Sequence, residues 1–301
     1  MFRGLLAAFV IAGCSRTGGP PPVVSDASPG PWWPALPPVD RWSPVDVLLL
    51  PTGEIVVADQ DQNRLFRMRS PEGTPYRLPS PGTSPVEWTA LAPAPGLAFY
   101  ALDGPGRRIH QYDLNGNYLG IALDLDQLVR DQGLGSIDPG GLAVVRSGQA
   151  VVTDRYRDRL LAFGPGWVYQ GEWGRTGSEP GAWRRPARVA AGDRPPFLVA
   201  DEGNARVVLV DDFGEVLAER DLPGPPRGVA VIDADRYAVS YEGVVEILDG
   251  TLALRRRVPV PPGPGCTSPA YVTNALNAGA AALWVGEGCS GLVLQIPLDE
   301  D

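Results

Sequence analysis

Phe197-Leu198-Val199-Ala200-Asp201-Glu202-Gly203-Asn204-Ala205-Arg206-Val207-Val208-Leu209-Val210 spells a β-hairpin. Two apolar runs flank a Gly/Asn turn; an aspartate closes the first and an arginine opens the second. The same unit recurs upstream, in runs ending at Asp59, Asp103 and Asp154, each followed five residues later by Arg64, Arg108 and Arg159. Successive aspartates lie 44, 51 and 47 residues apart.

Working outward, two degenerate copies follow, residues 237–240 leading into 244–248 and residues 283–286 leading into 292–296. A further apolar run precedes each copy (45–50, 88–91, 141–145, 187–191, 228–232 and 270–272), and a fourth follows most, as at 167–173, 215–219 and 251–258. Four short strands at a period in the forties make one antiparallel sheet per repeat. Such a sheet cannot hide its apolar face alone, so the sheets must stack around an axis. The expected fold is all-β: a β-propeller of six blades, each of four antiparallel strands. With 37 Gly and 33 Pro punctuating the runs, stacked helices are excluded; only 124–132 has a helical look. The last copy stops after three strands at 296–298, so its fourth is expected from 32–38, closing the ring and making Trp32 and Trp33 packing residues.

The stretch Trp173-Gly174-Arg175, then Gly181-Ala182-Trp183-Arg184-Arg185-Pro186-Ala187-Arg188-Val189-Ala190, then residues 197–207, resembles an NHL repeat. Ala58-Asp59 with Asn63-Arg64-Leu65 repeats its core at a slightly different spacing. The resemblance spans residues 40–301, is weak in the last two copies, and implies a propeller, often six-bladed.

The Asp59–Arg64, Asp103–Arg108, Asp154–Arg159 and Asp201–Arg206 pairs read as structural parts. A turn carboxylate accepts backbone N–H groups, and a following guanidinium reaches it or the neighbouring blade's. Repetition in several blades suits a structural device, whereas a catalytic site needs unlike residues.

Composition narrows the chemistry. The net charge of −9 argues against nucleic acid. All 26 basic residues are Arg, which excludes a Schiff-base or P-loop lysine. His110 is the single histidine; it cannot build a histidine zinc site and reads as a structural strand residue. No nucleophile elbow, Cys–His pair or phosphate loop appears.

Residues 1–13 carry Arg3 and a short apolar run, a signal-peptide pattern, and Ile11-Ala12-Gly13-Cys14 resembles the lipobox of bacterial lipoproteins. That resemblance implies acylation of Cys14, and Ser15 behind it implies the outer membrane rather than the inner. Residues 14–31 then form a lipidated tether and 32–301 a single propeller domain. Multiple acyl chains hold such a protein stably, and the lipid is its only expected membrane contact. Cys266 and Cys289 remain. Repeat register puts both in loops of one face of the last blade, where an oxidising compartment would favour a disulfide.

Propellers bind through face loops and over the axis. The long connections are 124–139, 173–186 and 259–269, and the second offers Trp173, Arg175, Trp183, Arg184 and Arg185, residue types common in binding hot spots; the tryptophans read equally as packing between blades and the arginines as solvated charge. Arg255, Arg256 and Arg257 read as a solvated edge strand. The expected function is a monomeric, non-catalytic binding module of the cell envelope, holding a protein or a polymer. The alternative is a hydrolase or lyase working in the channel, as calcium-dependent lactone hydrolases related to the NHL family do. No catalytic residue, cofactor or metal ligand is assigned, and calcium is left open.

Overall fold

The computed structural model describes residues 43–69, 75–82, 85–260, 272–278, 282–287 and 292–298. Cys14, Trp32, Trp33, Cys266 and Cys289 lie outside them, and so do the lipidation, ring closure and disulfide expected from sequence.

The first sheet holds β1 (Pro44–Leu49), β2 (Ile55–Asp59), β3 (Arg64–Met68) and the two-residue β4 (Tyr76–Arg77). The second holds β5 (Trp88–Ala94), β6 (Ala98–Asp103), β7 (Arg108–Asp113) and β8 (Tyr118–Asp124). Helix α1 (Leu125–Gln132) follows, capped by the Asp124 carboxylate, which accepts from the Gln127 N–H, and ended by left-handed Gly133. The third sheet holds β9 (Pro139–Val144), β10 (Ala150–Asp154), β11 (Arg159–Gly164) and β12 (Val168–Trp173). The fourth holds β13 (Pro186–Ala191), β14 (Phe197–Asp201), β15 (Arg206–Val210) and β16 (Val216–Asp221). The fifth holds β17 (Gly228–Val231), β18 (Arg236–Tyr241), β19 (Val244–Asp249) and β20 (Leu254–Pro259). The sixth has three strands, β21 (Val272–Ala278), β22 (Ala282–Glu287) and β23 (Leu292–Pro297).

All pairings between neighbouring strands are antiparallel, in simple up-and-down order. The expectation of six four-stranded blades is therefore met only in part. Five sheets have four strands, and the sixth has three among the described residues.

Burial explains the arrangement. The second strands β2, β10 and β14 are buried at every position, because neighbouring sheets cover both of their faces. Outer strands β12 and β16 alternate between exposed and half-buried, the period of two of a strand with one wet face. Each apolar cluster lies between consecutive sheets: Leu48 and Val56 meet Trp88 and Phe99, for example, and Leu198 and Val207 meet Tyr237 and Val239. Trp284 of β22 packs with Val47, Ile55 and Phe66 of the first sheet, and β21 lies against β1.

The loop holding Trp183 serves this core. Trp183 is 1% exposed, packed with Val151, Leu160, Phe197 and Val208 between the third and fourth sheets. Its backbone N–H donates to the Arg175 carbonyl at 2.7 Å. Gly174, at φ 89°, lies so close to the indole that any Cβ would collide with it. Because the indole N–H has no partner among the described residues, Trp183→Phe loses packing but no hydrogen bond. A loss of about 1–2 kcal/mol is expected, read from the urea midpoint.

Candidate functional site: the axial mouth

The repeated aspartates tie loops together on one face. The carboxylates of Asp59, Asp103, Asp154 and Asp201 each accept a backbone N–H from just before the first strand of their own sheet: Ser43, Glu87, Asp138 and Arg184, at 2.7–3.1 Å. Asp59, Asp103 and Asp154 also accept from an N–H in the turn that follows, those of Gln62, Gly106 and Tyr156. In all four turns the residue before the arginine (Asn63, Arg107, Asp158, Ala205) has φ of 50–53°, the left-handed conformation that reverses the chain.

The arginines divide. Arg159 Nε donates to Asp154 at 2.9 Å and Arg206 Nε to Asp201 at 2.8 Å, both pairs buried. Each also reaches a carboxylate on the outer strand, Glu172 or Glu219, and carbonyls of the preceding connection, such as Leu134 and Ala182. Arg108 turns instead to Asp124 at 3.3 Å, and Arg64 makes no ion pair among the described residues. The sequence expectation of one pair in each of four blades is thus corrected to two.

These pinned loops surround a mostly polar pocket of about 200 Å³, whose wall includes Gln60, Glu87, Arg155, Arg185, Glu202 and Arg227, with Arg188 below. Of the five loop residues singled out in sequence, only Arg185 lines it. Trp183 is core. Trp173 is half-buried, edge-on to Phe197 at 6.2 Å. Arg175 and Arg184 are exposed, away from the pocket. The Arg185 N–H donates to Asp158 at 2.7 Å, which fixes the turn that presents its side chain.

The axis itself holds two charges that sequence reasoning passed over. Asp46 and Arg188 occupy the same register position in β1 and β13, opposite Ala58 and Ala200, just after a bulge. The second sheet has Ala90 there, opposite Leu102. First strands neighbour one another in order, β1 to β5, β5 to β9, and on to β21 and back to β1. The first and fourth sheets therefore face each other across the axis. Arg188 crosses it, donating to the carbonyl of Val45 at 3.1 Å and to that of Thr89. The Asp46 carboxylate accepts from Leu91 N–H at 2.7 Å and Val47 N–H at 2.9 Å. Both side chains are enclosed by protein yet keep some solvent contact, as residues lining an axial channel do. The sequence signal was available: opposite charges three repeats apart, at a position otherwise small or apolar.

Burial lifts the Asp46 carboxyl from its ordinary 3.8 to about 6, against the pull of Arg188 and two backbone N–H groups. The folded chain therefore holds this proton more tightly than the unfolded chain does. Its contribution to stability is greatest below pH 3.8 and falls as pH rises through about 6, by up to roughly 3 kcal/mol. Asp46→Asn is expected to remove that slope, so its stability relative to the parent rises between about pH 4 and pH 7 in urea titrations.

Two further residues or runs singled out in sequence are His110 and Arg255–257. His110 is buried on β7, its Nδ1 3.1 Å from the Tyr118 hydroxyl and its ring edge-on to Trp88; burial lowers its pKa. It lies in the blade core, not at the mouth. Arg255–257 is not a uniformly solvated edge. Arg255 is exposed, Arg256 is buried, and Arg257 donates to the fully buried Glu246, as Arg220 of the fourth sheet does. Burial works against the Glu246 charge, but hydrogen bonds from Tyr241 and Arg257 hold its pKa below the usual value. Among the described residues, no three His, Cys, Asp or Glu side chains gather to hold a metal ion. No described helix is long and apolar enough to cross a membrane.

No protein-family model and no curated protein matches the chain. Solved structures do. A streptogramin B lyase superposes with a TM-score of 0.62 at 14% identity, covering 88% of this chain and 86% of that one. A catalytically inactive histidine-to-alanine variant of virginiamycin B lyase from Staphylococcus aureus, with quinupristin, gives 0.59 at 13%, covering 86% of each. The protein U3-55K gives 0.61 at 14%, covering 86% of this chain and 97% of that one. At such identities the likeness shows the propeller fold alone.

Proposed function

Starting from that shared fold, which serves both lyases and WD40 domains among its neighbours, we propose that this chain is a non-catalytic binding module of NHL type. It is anchored in the cell envelope through acylated Cys14 and presents its axial mouth to an envelope protein or polymer. One observation carries the choice: the mouth is a rim of charged side chains over an axis occupied by Arg188 hydrogen-bonded to backbone carbonyls. A guanidinium so held, with no histidine or thiol beside it among the described residues, suits recognition better than acid–base chemistry. A rigid rim of arginines and carboxylates instead offers directional contacts to a charged partner.

The test is capture from an envelope extract on the immobilised protein. The parent is expected to retain a defined partner that the double variant Arg185→Gln, Arg227→Gln loses. Equal recovery by both would remove the mouth from the interface. Radiolabelled palmitate entering the parent but not Cys14→Ser tests the anchor separately.

A further inference from the structure

Charge is unevenly spread around the mouth. On one side Arg185 and Arg227 share a single carboxylate, that of Glu202, with Arg227 Nη1 at 3.0 Å and Arg185 Nε at 3.5 Å. The Glu202 side chain is 16% exposed, whereas those of Arg185 and Arg227 are 61% and 46% exposed. That side carries one net positive charge on side chains open to solvent.

Glu87 precedes β5 and Arg227 precedes β17. These strands are three neighbours apart either way round, so the two residues stand across the axis from each other. The Glu87 carboxylate accepts from the neutral Gln60 side chain at 3.2 Å, and no cation among the described residues pairs with it. Its position is fixed, since its N–H is held by Asp103 at 3.1 Å. Arg188 lies below the pocket, so its space of about 200 Å³ suits a short peptide rather than a threaded chain.

An unpaired carboxylate facing a surplus of guanidinium across a small polar pocket is complementary to a molecule with a cation at one end and an anion at the other. We propose that the mouth takes a short zwitterionic peptide, its carboxylate on Arg185 and Arg227 and its amine on Glu87. This rests on the binding-module reading and adds the ligand class.

Calorimetry on the full mature protein would use three probes: triglycine, N-acetyl-triglycine without the amine, and triglycine amide without the carboxylate. Triglycine is expected to bind at least roughly tenfold more tightly than either blocked form. Glu87→Gln should abolish the preference over the N-acetyl form alone, and Arg227→Gln the preference over the amide alone. Arg255→Gln, remote on β20, should change neither. Equal binding of all three peptides, no binding of any, or variants that fail to act on their own end would each overturn the proposal. If the rim variants still lose the envelope partner while triglycine fails to bind, the binding reading stands and only the zwitterion class falls.

Discussion

Arg206→Met is expected to cost the fold about 3–5 kcal/mol, whereas Arg64→Met, at the same repeat position, should cost no more than about 1 kcal/mol. Arg206 is 5% exposed and donates to Asp201 at 2.8 Å, Glu219 at 3.0 Å, and the Ser178 and Ala182 carbonyls at 2.8 and 2.7 Å. Methionine fills comparable volume but leaves the Asp201 charge, 0% exposed, without its cation. Removing one partner of a buried pair exposes the other's desolvation cost, which is the larger part of the loss. Asp201 keeps its bonds from the Arg184 N–H and Asn204, so the chain should still fold, with a lower denaturant midpoint. Asp59 has no such arginine contact and loses little when Arg64 is replaced. Equal losses at both positions would mean the pairs act through the unfolded chain rather than through these contacts.

Arg188→Met should cost about 1.5–3 kcal/mol at neutral pH, and less in acid. Its guanidinium satisfies carbonyls of the first and second sheets, and its charge is the main one opposing the rise of the Asp46 pKa. Without it, the Val45 and Thr89 carbonyls turn to channel water and Asp46 takes up a proton more readily. Protonation removes the enclosed charge at a higher pH in the variant than in the parent, so the deficit should shrink as pH falls toward about 6 and level off below it. Paired urea titrations of Arg188→Met and the double variant Arg188→Met, Asp46→Asn would show it. The pH dependence of the deficit should vanish in the double variant.

The two arginines illustrate different kinds of legibility. Arg206 was visible because its partner is local: Asp201 is five residues away, at the other end of one tight turn, and the pattern repeats. Arg188 was hidden because its partners, Val45 and Thr89, lie roughly a hundred residues or more upstream. Its companion in charge is recognisable only when repeats are superposed and the register is counted around the axis. Trp183 misled for a related reason. Tryptophan beside arginines reads equally as a docking surface or as packing, and only the neighbouring sheet decides which.

Sequence by itself determined the strands, their antiparallel order, the capped turns and the need for sheets to cover one another, since these follow from alternation, turn chemistry and the period of the repeat. Tertiary structure alone decided which charges meet. It set Asp46 and Arg188 at the axis, drew Arg185, Glu202 and Arg227 into one rim, and buried Trp183 and Glu246. The physical reason is that hairpins are fixed by neighbours in the chain. The axis and the mouth are made by residues from different sheets, whose approach depends on how the whole ring packs.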